Sequence, residues 1–187
     1  MDPSLRLLAG RIWPHHIGGK TALARHGFLH NVSPKHDAMT LLIHAKTTNK
    51  VPQWFGRELK SQVSSRLLFD EPDPSKPPLV NKDNNRHPGI GVSEPERAVP
   101  EMSIEEPKTQ DLKEDVQLME GMVSLRAEPQ RAALKACVNL ETVRRFLCIA
   151  KHLDLPVLKS PVAEEFPTGS KSRYVLPLAS GTLVLKP

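Results

Sequence analysis

Between Asp70 and Lys108 the chain places Pro72, Pro74, Pro77, Pro78, Pro88, Pro95, Pro100 and Pro107, and this spacing limits what the polypeptide can fold into more than any other feature. Proline has no backbone N–H and a fixed φ, so it breaks helix interiors and is excluded from central strands. A stretch this dense in Pro, Asn, Ser and Glu reads as a linker or disordered loop without regular elements. Connections of such length are uncommon inside compact domains, so the flanking pieces are not expected to form one tight unit. The chain then divides into a basic, targeting-like arm over 1–36, a short irregular or mixed segment over 37–69, an acidic proline-rich linker over 70–108, and a helical interaction region with a C-terminal tail over 109–187.

Composition sharpens that expectation. A folded chain of 187 residues could bury roughly 70% of its unfolded surface. Aromatic residues, which usually anchor a core, make up only 4% of this one. The fold class that follows is mainly α with substantial disorder, ending in a C-terminal helical hairpin and a short β-hairpin at the C-terminus.

Charge is divided into three blocks. Residues 1–57 hold eight basic side chains and two acidic ones, residues 58–128 nine and fifteen, and residues 129–187 nine and four. The pI of 9.3 therefore conceals a basic, acidic, basic order that can fold on itself or offer separate faces to separate partners. No run of apolar residues is long enough to span a bilayer as a helix.

Helical periodicity is clearest after the linker. Residues 109–126 align Leu112, Val116, Met119 and Val123, with acids at the start and Arg126 at the end, as the helix dipole favours. Residues 129–153 align Ala136, Leu140, Val143, Leu147 and Ala150, opened by Pro129 and closed by Pro156. The short joint at Glu128 and Pro129 suggests that the two helices pack as a hairpin. Arg173–Leu178 and Thr182–Leu185 are β-prone runs around a Ser-Gly turn, with Pro177 restricting the first to an edge. Residues 4–13 can form a short amphipathic helix, and residues 38–44 are an apolar run too short for periodicity to assign.

Several fragments of chemistry fail their own tests. Gly18-Gly19-Lys20-Thr21 resembles the end of a phosphate-binding loop, and Leu67-Leu68-Phe69-Asp70-Glu71-Pro72 resembles the acidic strand end of transporter-type ATPases. Pro14 stands where that loop needs Gly, and the alternating strand–helix pattern of the fold is missing. Of eight histidines, His15, His16, His26, His30, His36 and His44 lie early, but no carboxylate or cysteine cluster accompanies them as a metal site requires. Cys137 and Cys148, placed on one helix about 16 Å apart, cannot bridge and read as buried thiols. The Pro74-Ser-Lys-Pro77 repeat is a minimal SH3-type ligand expected by chance in such a segment. No catalytic, cofactor or metal site is assigned.

Two acidic residues among the first 57, together with an amphipathic start, fit a mitochondrial presequence cleaved near Arg25 to Phe28; a cytoplasmic or nuclear basic arm is the alternative. Trp13, Phe28, Trp54 and Phe55 among the cations allow a peripheral RNA contact. The function expected is that of a non-enzymatic accessory or structural subunit of a larger mitochondrial or ribonucleoprotein assembly. It would bind a protein partner through its C-terminal helices, at Leu140, Val143, Phe146 and Leu147. The alternative is a largely disordered regulatory or viral-type accessory protein acting through short segments.

Overall fold

The computed structural model describes residues 15–28, 39–43, 61–64, 68–71, 78–82, 91–103, 112–158, 166, 168–169, 173–178 and 181–185. In chain order these form β1 (His15–Ile17), α1 (Gly19–Arg25), β2 (Met39–Ile43), β3 (Ser61–Ser64), β4 (Val80–Lys82), β5 (Gly91–Ser93) and α2 (Pro95–Met102). They continue as α3 (Leu112–Glu120), α4 (Ala127–Ala136), α5 (Leu140–His152), a 3₁₀ turn at Pro156–Leu158, β6 (Tyr174–Leu178) and β7 (Gly181–Leu185). Helices thus predominate among the described residues, accompanied by small sheets.

Five strands form one mixed sheet in the order β3-β2-β1-β5-β4. β1 occupies the middle, antiparallel to β2 and parallel to β5. At Gly91 of β5, opposite His16, an added Cβ would stand 2.5 Å from Val80 Cγ1 on β4, so a side chain there requires Val80 to shift.

The proline-dense stretch is corrected by what it contains. β4, β5 and α2 all fall between residues 70 and 108, and α2 packs against α1, α4, α5 and β5. Every residue of α2 from Glu96 to Met102 is buried. Proline density misled because position matters more than number. Pro95 sits at the first helical position, where its missing N–H has no partner to lose. Pro100 removes one bond from a helix of only two turns, and burial on all sides offsets that loss. Pro74 and Pro77 lie outside the described residues, as does the amphipathic helix expected over 4–13.

The arm expected over 1–36 is also corrected. Ile17, Ala22 and Leu23 are fully buried, so β1 and α1 are built into the core rather than solvated. Removal at Arg25 to Phe28 would take away the sheet's central strand.

Further along, the two long helices expected over 109–126 and 129–153 become three. α3 ends at Glu120, before Gly121, and buries Val116, Leu118 and Met119, while Val123 lies in the following turn and is 60% exposed. The second helix breaks at Cys137–Asn139, where the chain pairs briefly with residues 68–70. Asp70 N–H donates to Ala136 O at 2.9 Å and Val138 N–H to Leu68 O at 2.8 Å. α5 then restarts with Asn139 as its cap, the side-chain oxygen accepting from Thr142 N–H at 3.1 Å. Cys137 and Cys148 are both buried and not joined by a disulfide, Cys137 in the break and Cys148 within α5 rather than on one helix. β6 and β7 pair antiparallel, with Tyr174 opposite Leu185 and Leu178 opposite Gly181, and the ribbon packs on α5.

Candidate functional site

Three groups from the first hundred positions, the His16 ring, the Gly19 N–H and the Arg97 guanidinium, converge on one carboxylate. Glu101, on the last turn of α2, is 1% exposed. Its Oε1 accepts from His16 Nε2 and from Arg97 Nε, both at 2.7 Å, and its Oε2 accepts from Gly19 N–H at 3.3 Å. Burial pushes the Glu101 carboxyl up, but the charges and hydrogen bonds of His16 and Arg97 outweigh it and hold the group down at about 2. With the carboxylate ionised, Nε2 is the His16 nitrogen that carries the proton facing it.

Arg97 extends the network. Its Nη1 pairs with Glu71 Oε1 and donates to Pro78 O at 3.0 Å, while its guanidinium lies 4.3 Å from the centre of the Phe69 ring. One residue along from Gly19, Lys20 Nζ donates to Glu114 Oε2 at 2.6 Å and so ties α1 to α3. At the far end of α2, Arg126 grips Glu96, with Nε 2.8 Å from Oε1 and the backbone N–H 3.1 Å from the same atom, and also pairs with Glu94. Burial raises the Glu96 carboxyl, and these bonds from Arg126 bring it below its ordinary value.

This geometry answers the two nucleotide-like fragments. Lys20 and Glu71 are each already committed to a partner within the chain, Glu114 and Arg97 respectively. Gly19 adopts φ +52°, the conformation that a glycine-rich turn needs. Its N–H is nevertheless taken by the Glu101 carboxylate, the chain's own anion. The histidines divide similarly: His16 serves Glu101, and His26 Nε2 lies 3.0 Å from Ser93 O. No group of three metal-ligating side chains exists among the described residues. Glu101, Arg97 and Glu96 escaped the sequence reading because their segment was taken for a linker. The opposite charges of Arg97 and Glu101 four residues apart, following Pro95, were the helical signal.

A second polar region, around α5 and β6, is open. Lys151 and His152 at the end of α5 and Arg173 before β6 are exposed. Arg144 stacks over Tyr174 at 4.8 Å, and Arg145 Nη2 forms an ion pair with the buried Asp115 at 2.9 Å. Burial raises the Tyr174 phenol above its ordinary value, with Glu141 acting in the same direction. Of the four residues expected to meet a partner, Val143, Phe146 and Leu147 are buried in this chain's own core, while Leu140 is 40% exposed.

Residues 38–186, from β2 to β7, match the family model AbiEi_3, described as a transcriptional regulator, the AbiEi antitoxin of a Type IV toxin–antitoxin system. The chain belongs to this family. No curated protein and no solved structure matches it. Membership of AbiEi_3 overturns the expected subunit of a mitochondrial or ribonucleoprotein assembly, the alternative of a disordered viral-type accessory protein, and the mitochondrial address with its transit peptide. The burial of β1 and α1 gives the physical counterpart of that correction: acid-poor residues served a core rather than an import signal. Among the described residues, no helix of this AbiEi_3 chain is long and apolar enough to cross a membrane.

Proposed function

We propose that the chain is a cytoplasmic antitoxin that regulates transcription by binding DNA, and that it acts through binding rather than catalysis. The observation that carries this reading is the family match over residues 38–186. Two physical features support it. The buried ionic network spends its carboxylates on intrachain donors, leaving no activated nucleophile or general base in it. The last third of the chain carries nine basic residues against four acidic ones, an imbalance suited to phosphate contacts.

A contact with a protein partner through α5, also proposed, narrows to Leu140, since Val143, Phe146 and Leu147 fill the interior. Two assays test the reading together. The chain should repress a reporter driven by its own promoter, and co-expression should restore growth to cells making the toxin of the same system. Full reporter activity together with unrelieved toxicity would overturn it. Nucleotide binding offers a separate check: ATP should bind neither the wild type nor Lys20→Ala.

A further inference from the structure

We propose that the outward face of the β6–β7 ribbon is a DNA-contacting element that enters a groove while neighbouring cations hold the phosphates; this rests on the DNA-binding reading above. The ribbon is a two-stranded sheet of its own, separate from the five-stranded one. Strand alternation gives it two faces. Tyr174 and Leu176 turn toward α5, where Leu176 is buried and Tyr174 lies beneath Arg144. Val175 and Pro177 point the other way, and both are exposed, Val175 by 45%. Their cross-strand partners are Val184 and Thr182.

An outward face made of Val175, Val184, Pro177 and Thr182 is compact, largely apolar and able to form only one side-chain hydrogen bonding site, at Thr182. A two-stranded ribbon matches the width of the major groove, about 12 Å, where methyl-bearing side chains meet thymine methyls and a threonine hydroxyl pairs with either type of base-edge group. Charge decides between nucleic acid and a protein occupant. Arg173 leads directly into the ribbon and is exposed, and Arg144 stands behind it on α5, with Lys151 and His152 at that helix's end. Glu141 on α5 acts to raise the Tyr174 phenol, and it and the exposed Asp154 just past that helix oppose the proposed contact.

The experiment measures binding of the full chain to a labelled duplex carrying its promoter, and to an unrelated duplex, across a salt series. Val175→Asp should weaken promoter binding at least tenfold, and Arg173→Ala should lower the salt slope by about one. Glu141→Lys should tighten binding, while Lys82→Ala on β4, in the other sheet, should bind as wild type does. Because Val175→Asp could disturb the ribbon, Thr182→Cys carrying a photo-crosslinker supplies a second measurement and should capture DNA. Wild-type binding to the promoter with unchanged affinity in Val175→Asp and Arg173→Ala, and no crosslink, overturns the ribbon proposal and leaves the DNA reading standing. Absence of any duplex binding by the wild type overturns both. Loss of toxin neutralisation with intact DNA binding in the ribbon variants identifies a protein-docking face and likewise overturns the proposal.

Discussion

The two polar regions of this molecule use the same kinds of side chain for opposite ends. Around α2, His16, Arg97, Glu71 and Glu101 are nearly sealed from water and bond to one another. Around α5 and the ribbon, Lys151, His152 and Arg173 are exposed. Burial makes the difference. A charge taken out of water must find a partner or lose several kcal/mol, so the first set fastens β1, α1 and the 68–71 segment to the central helix. An exposed charge gains little from an intrachain partner and keeps its field available to a ligand.

The sharpest way to break the comparison is to remove residues 1–28. Without β1 the sheet loses its middle strand and Glu101 loses two of its donors, so the truncated chain should show no cooperative unfolding transition in urea. A soluble, cooperatively folded product would mean that the arm is dispensable after all.

Next in size is Arg97→Leu. It strands two buried carboxylates, Glu71 and Glu101, and should cost about 3–5 kcal/mol in chemical denaturation, the usual consequence of breaking a buried pair. A loss below about 1 kcal/mol would show that the network is solvated and no fastener.

Acid titration sharpens the same point. The folded Glu101 carboxyl lies at about 2 against an ordinary 4.5, so its contribution to stability is present above the ordinary value and disappears as pH falls from there toward 2. Glu101→Gln should flatten the stability profile in that window, as followed by urea midpoints at successive pH values. An unaltered profile would assign the acid sensitivity elsewhere.

Smallest of all should be Val175→Asp. An exposed site away from the core is expected to change stability by no more than about 0.5 kcal/mol, whatever it does to ligand binding. A large fall in Tm would show that the ribbon's outer face is structural, and the contrast between the two regions would fail.

Legibility followed the length of each periodic signal. The apolar stripe from Val143 to Ala150 and the acidic start of α3 were readable, because several residues repeat at helical spacing. The β-prone runs at the C-terminus fall where β6 and β7 pair. The break at Cys137–Asn139 was not readable, since it depends on a strand segment almost seventy residues earlier. Of the ionic network, Lys20 and Glu71 were noticed as parts of nucleotide-like fragments, whereas the fold pairs them with Glu114 and Arg97, and Arg97 and Glu101 were passed over. No local pattern reports that a distant donor will arrive.

By itself the sequence determined the charge blocks, the helical stripes of the last third and the failure of the nucleotide-like fragments, because composition and short-range spacing act within a few residues. Only the tertiary structure decided that a proline-rich stretch would hold the central helix and that an acid-poor start would supply the central strand. Proline constrains φ and removes one donor, but whether that can be tolerated depends on the area buried around it. A hydrogen bond between residues eighty-five positions apart likewise gains its strength from burial, which the chain acquires only by folding.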